Sequence, residues 1–197
     1  MLRYLILPAL AAGAVAAPAL AQDEPAPPPA PAERIAAPFT GARVEALAGY
    51  DGDLVYGGAL GYDHQFGRLV LGIEGELSDS TGKDCFTAAF APGDRFCTLT
   101  GRNIALGGRI GVALAPATLL YGKVGYTNQR VTVDYLAGSP PAVPSFRVSN
   151  DLDGIRLGAG IEQKIGRHAY IKGEYRYSDY ENGDFKHDGV IGLGFRF

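Results

Sequence analysis

Tryptophan is absent from the 197 residues, methionine occurs once and cysteine only twice. Neither cysteine has a histidine neighbour, which excludes a zinc site built on them. Beyond the first 21 residues no stretch reaches 18 consecutive apolar positions, so no later helix can span a bilayer. An amphipathic helical pattern is missing as well. So is a basic excess: 18 Lys and Arg face 21 Asp and Glu, giving a formal charge of −3. That leaves no electrostatic footprint for nucleic acid, and none is expected as a partner. Glycine, by contrast, is abundant at 28, beside 11 tyrosines and 9 phenylalanines. This composition favours a β protein with closely packed strands.

The chain opens on MLRYLILPALAAGAVAAPALAQ. Arg3, the apolar run after it and Ala19-Leu20-Ala21 have the form of a signal peptide, with cleavage expected after Ala21. Pro8 and Pro18 interrupt the run and disfavour a membrane anchor. Residues 22–38, QDEPAPPPAPAERIAAP, follow. Pro25, Pro27, Pro28, Pro29 and Pro31 cannot enter helix or sheet ladders, so this segment reads as an extended, semi-rigid spacer. The expected folded domain is 39–197.

From Phe39 onward the sequence alternates with period two, the mark of strands with one polar and one apolar face. Eight runs are expected, near 39–50, 54–66, 69–79, 101–114, 118–134, 151–165, 168–180 and 188–197. The connections at Gly67-Arg68, Ala115-Pro116-Ala117 and Gly166-Arg167 are tight. Those at 80–100 and 135–150 are long, and those at 51–53 and 181–187 are short to medium and acidic. One end of the sheet therefore carries the tight turns and both chain ends.

Parity places Arg43, Glu45, Asp63, Glu74, Glu76, Arg109, Lys123, Arg156, Glu162, Lys172, Glu174, Arg176 and Arg196 on one face. A soluble barrel of lipocalin type would alternate too, with its apolar face inside. Four features favour the inverse. The charged face is also the Gly and Ala face, which suits a crowded interior. Aromatics gather near strand ends (Tyr50, Phe66, Tyr121, Tyr126, Tyr170, Tyr177, Tyr180 and Phe195), in the manner of two interfacial girdles. Loop lengths are asymmetric, and the chain stops on GVIGLGFRF without a polar tail. A sheet in lipid must close on itself. The expected fold is all-β, an eight-stranded antiparallel transmembrane up-and-down barrel. Its charged lumen is just wide enough for side chains to fill.

The segments GIEGEL (72–77), LYGKVGYTNQR (120–130), GIRLGAGIEQKI (154–165), GEYRYSDY (173–180) and GLGFRF (192–197) resemble the small outer-membrane β-barrel proteins of proteobacteria. These are the OmpA-like, opacity-type group with the porin-family label, and the resemblance covers about 39–197. It implies residence in the bacterial outer membrane, with the spacer and C-terminus periplasmic. It also implies insertion by the outer-membrane assembly machinery, which reads a terminal strand ending in an aromatic; here that maps onto Leu193, Phe195 and Phe197. Larger members carry a peptidoglycan-binding domain after the barrel, for which no residues are present here. The expected role is structural, in envelope integrity or surface interaction, with outer-membrane lipid and lipopolysaccharide as surroundings and no external partner identifiable. A low-conductance pore for water or small solutes is the alternative.

Cys85 and Cys97 bracket the longest loop, and export to an oxidising compartment makes a disulfide the expected state. It would either clip the loop against proteases, the preferred reading, or stiffen it to present Phe86, Phe90 and Phe96. Acidic pairs near the loop end (Asp51/Asp53, Asp79/Asp84, Asp151/Asp153 and Asp179/Glu181/Asp184) have no calcium-loop spacing and read as a solvated rim. His64, His168 and His187 lack a serine two positions on, where lipid A deacylases of similar size place one. No enzyme, cofactor or metal is expected.

Overall fold

The computed structural model describes residues 37–88, 91–139, 144–181 and 183–197. The signal peptide and most of the proline-rich spacer lie outside the described residues. Nine strands follow one another without a helix among the described residues: β1 (Gly41–Tyr50), β2 (Leu54–Phe66), β3 (Leu69–Ser80), β4 (Lys83–Thr87), β5 (Arg95–Ala115), β6 (Thr118–Leu136), β7 (Phe146–Ile165), β8 (Ala169–Tyr180) and β9 (Phe185–Arg196). Each long strand pairs antiparallel with its neighbours. β3 also pairs with β5, and β1 with β9, so eight strands close into a ring. The short β4 stays outside that ring, paired to β5.

Tight turns follow from local chemistry. Phe66 pairs directly with Leu69 across Gly67 and Arg68. Gly67 takes a φ of 61°, which a two-residue hairpin turn demands and glycine supplies without strain. Phe197 donates its N–H to the Ala42 carbonyl, so the last residue lies beside the first strand, at the tight-turn end.

The outward face is apolar. On β5 the outward residues Ile104, Leu106, Gly108, Ile110, Val112 and Leu114 run over ten residue steps. At about 3.3 Å per residue and a tilt near 40°, that makes a band roughly 25 Å tall, matching a hydrocarbon core. Leu60, Ile73 and Leu106 are each about two-thirds exposed on this wall.

Above the band the polarity inverts. Outward positions on β6 become Asn128, Arg130, Thr132 and Asp134, and on β7 Asp153, Asp151, Ser149 and Arg147. Inward positions become Val131, Val133 and Tyr135, opposite Asn150, Val148 and Phe146, with Leu152 opposite Gln129 just below. The switch falls at the Tyr126–Ile155 pair. On β5 alone a bulge between Thr100 and Asn103 shifts the parity, so that Thr100, Thr98 and Phe96 stand opposite Val131, Val133 and Tyr135. β5, β6 and β7 thus continue past the band as a protruding sheet that β4 extends.

Four expectations are corrected here. Residues 80–100 and 135–150 are not simple loops: β4 and the ends of β5, β6 and β7 occupy much of them. These segments alternate too, but with inverted polarity. Phe39 does not open β1. It is fully buried at the tight-turn end with Val70, Ala113, Leu119 and Tyr121, its N–H held by the Gln65 side chain at 3.1 Å. Tyr121, Tyr170 and Tyr180 are not girdle residues but point inward and are 2%, 1% and 5% exposed. Finally, β9 begins at Phe185, three residues earlier than expected.

In the protruding sheet, the fully buried Tyr135 donates its hydroxyl to Asp94 at 3.1 Å, pinning the β4–β5 connection over the inner face. Tyr135→Phe is expected to cost about 1 kcal/mol of local stability. Faster proteolysis near 88–94, with an unchanged barrel core, would register it.

Candidate functional site

The lumen is built from alternate residues of all eight ring strands. Its floor is apolar, formed by Phe39 and the residues around it. Directly above, Arg109 and Arg196 clamp Asp63 and Glu162. Arg109 reaches Asp63 at 2.6 and 2.8 Å and Glu162 at 3.0 Å; Arg196 reaches Asp63 at 2.6 Å and Glu162 at 2.7 Å. Arg196 also donates to the Phe39 carbonyl at 2.6 Å, coupling the ionic layer to the floor.

The next layer joins β1, β3, β6 and β8. Arg43 contacts Glu45, Asp63 and Glu74. Lys172 contacts Glu45, Glu74 and Glu174. Lys123 lies 2.9 Å from Glu74 and 2.5 Å from Glu174. Two of the inward tyrosines complete the carboxylate shells: Tyr170 donates to Glu45 at 2.6 Å and Tyr121 to Glu174 at 2.7 Å. Higher still, Arg176 and Arg156 share Glu76 at 2.7 and 3.2 Å. Arg156 also donates to Ser178 and Asn103, each at 3.0 Å.

All thirteen charged residues selected by parity lie in this one connected set, and each cation touches at least one carboxylate. Twelve are 5% exposed or less, and Lys123 is nearly as enclosed, with a side chain 10% exposed. Small residues make room: a Cβ at Gly72 would fall 1.9 Å from an Asp63 oxygen, and one at Gly194 2.1 Å from the Tyr170 ring. Parity also put Asn103 beside Arg109 and Thr127 beside Lys123 on this face, and both are buried; sequence reasoning missed Asp188, buried beside Lys186, and the polar pair Gln129 and Ser178. All share the parity of charged neighbours, so the signal was present.

At the mouth, a basin of about 280 Å³ is bordered by Asp51, Asp53, Asp84, Asp184 and Lys186, with Val131, Leu152 and Phe185 on its apolar side. Lys186 pairs with Asp51. On the outer side of the protruding sheet Arg130 donates to Asp151 at 3.0 and 3.2 Å and holds that carboxyl below the usual carboxylate range. This exposed pair adds little stability. Among the described residues no three His, Cys, Asp or Glu side chains converge as a metal set. The three histidines sit on the outer face beside aromatic rings: His64 by Phe66, His168 by Phe195, His187 by Tyr175 and Tyr177.

A closed ring of eight strands, apolar outside and ionic within, is the geometry of a small membrane barrel. The model of the family described as "Outer membrane protein beta-barrel domain" matches residues 7–197. The chain belongs to that family. A curated relative, the 22 kDa outer membrane protein of Rhizobium leguminosarum bv. viciae, is 29% identical over 135 residues, covering 65% of this chain and 53% of the relative. The aligned stretch thus spans about half the length of that relative. Among solved structures, the N-terminal β-barrel domain of Pseudomonas aeruginosa OprF superimposes with a TM-score of 0.56 at 14% identity, over 80% of this chain and 98% of that one. Ail, the attachment invasion locus protein of Yersinia pestis, in complex with the heparin analogue sucrose octasulfate, gives 0.50 at 15% identity, over 80% and 97%. At these identities the likeness is one of fold. The chain is an outer-membrane β-barrel protein.

Cys85 and Cys97 form a disulfide across the β4–β5 ladder. Phe86 and Phe96 lie in the same hairpin, whereas Phe90 falls outside the described residues. Leu193, Phe195 and Phe197 share the outer face of the last strand and are 63%, 43% and 72% exposed.

Proposed function

We propose that this protein is a non-enzymatic outer-membrane barrel whose lumen is closed by its own ion pairs, and that it serves envelope integrity and surface presentation rather than transport. One observation carries the reading: thirteen charged side chains form an unbroken network across the lumen above an apolar floor. Two cavities among them are small. One of about 20 Å³ borders Glu74, Glu76, Lys123 and Arg156, and one of about 10 Å³ borders Ser78, Asn103 and Arg176. Each has room for roughly one water, far short of a hydrated path.

The tight-turn end, with both ends of the barrel domain, faces the periplasm, and the protruding sheet faces outward. Leu193, Phe195 and Phe197 serve as the signal read by the assembly machinery. Outer-membrane lipid and lipopolysaccharide surround the apolar belt. The mouth is bordered by four carboxylates, Asp51, Asp53, Asp84 and Asp184, against Lys186. Charge complementarity therefore argues against carrying over from Ail the binding of a polyanion such as sucrose octasulfate.

Single-channel recording in planar bilayers tests the closed lumen. The expected trace is silent, or shows only rare, brief events. A long-lived, ion-selective open state would establish the low-conductance pore instead.

A further inference from the structure

We propose that the Cys85–Cys97 disulfide is a thiol-exchange site that accepts a small anionic thiol at Cys85, with Cys97 as the leaving group. The two cysteines stand directly opposite each other in the β4–β5 ladder, yet their surroundings differ. β4 is the edge of the protruding sheet and is exposed along its whole length, Cys85 included. Cys97 is only 4% exposed. Arg95, two residues before Cys97 on the same strand face, donates its Nε–H to Cys97 Sγ at 3.2 Å.

Exchange begins when a thiolate attacks one sulfur and expels the other, so access chooses the target and stability of the expelled thiolate sets the rate. Access selects Cys85. A guanidinium beside a sulfur favours its thiolate, and here that sulfur is Cys97. The S–S bond breaks as the new S–S bond forms: RS⁻ plus the disulfide gives RS–S–Cys85 and the Cys97 thiolate, held by Arg95. No oxidant is consumed and no proton is needed. The Cys97 thiolate can attack the adduct and expel RS⁻, which makes the capture reversible.

The charges on this face set the kind of thiol. Directly opposite residues share a face of a sheet, so Lys83, Arg95 and, one strand beyond Asp134, Arg147 lie on the face of the sulfurs, against Asp134 opposite Cys97. Asp134 works against the thiolate, but Arg95 is the group in contact with it. The net positive face suits a thiol carrying carboxylates, of the glutathione type.

The test uses the oxidised full chain folded in detergent micelles. Reduced glutathione is added in mildly alkaline buffer, the reaction is stopped with acid, and the adducts are located by peptide mass spectrometry. Adduct on Cys85 is expected to exceed that on Cys97 by about tenfold, and Arg95→Met to slow exchange by roughly threefold or more, with Arg95→Lys restoring most of the rate. Resistance to SDS before boiling verifies that each variant is folded. Equal labelling of the two cysteines, a preference for Cys97, or a rate indifferent to Arg95→Met would each overturn the proposal.

Discussion

Asp63→Ala is expected to cost the folded barrel about 3–5 kcal/mol, because it strands cations already removed from water. Asp63 is fully buried and holds three guanidinium groups at once: Arg43 at 3.1 Å, with Arg109 and Arg196 at 2.6 Å. Without it, Glu162 alone must serve both Arg109 and Arg196, and Arg43 falls back on Glu45 and Glu74. The network then carries an uncompensated positive charge on the apolar floor. Unfolding by urea in lipid vesicles, with the folded fraction read on unboiled gels, measures the loss. Adding Arg109→Met to Asp63→Ala should recover part of it, since the second change removes one of the stranded cations. Coupling between the two should amount to about 0.5–3 kcal/mol. Strict additivity, or an Asp63→Ala loss under about 1 kcal/mol, would refute the view that these charges depend on one another.

That network was legible because a strand has a fixed period. Once Lys172, Glu174 and Arg176 were seen on alternate positions, the wall they belong to followed, and so did the inward set on the other seven strands. The same rule reached further than residue type suggested. Tyr170 has the parity of Lys172, Tyr121 that of Lys123, Tyr180 that of Arg176, and Asp188 that of Arg196. An aromatic near a strand end is ordinarily a headgroup-level residue. Here parity outweighs that habit, because each hydroxyl meets a polar group of the lumen: Tyr170 at Glu45, Tyr121 at Glu174 and Tyr180 at the Asn103 amide. The protruding sheet was illegible for a different reason. Val131, Val133 and Tyr135 alternate as well as any membrane segment, but outside hydrocarbon the apolar side turns inward, and the bulge at Thr100–Asn103 breaks the count on β5. Phe39 was hidden because its role is long-range: nothing local marks a residue that closes the barrel end against Val70 and Leu119.

Arg109 and Ile110 are adjacent on β5 yet live in opposite solvents, and this sets the second large effect. Arg109 is 3% exposed and shared between Asp63 and Glu162. Ile110 is 56% exposed on the outer wall, near the middle of the apolar stretch from Ile104 to Leu114. Ile110→Arg is expected to destabilise the barrel in lipid by about 2–4 kcal/mol, because among the described residues no carboxylate lies within the apolar band around it and the bilayer midplane offers no water. Ile104→Arg introduces the same side chain at the top of the stretch, where the guanidinium can reach the headgroups, and should cost only about 0–1 kcal/mol. The gradient is the diagnostic quantity. Damage to packing would depend on contacts and not on depth, whereas hydrocarbon penalises a charge by its distance from water. Urea midpoints of the two variants in vesicles should therefore differ widely. Equal midpoints, or an Ile110→Arg protein as stable as the parent, would mean that the outer wall is not immersed in lipid and that the barrel's polarity has been assigned the wrong way round.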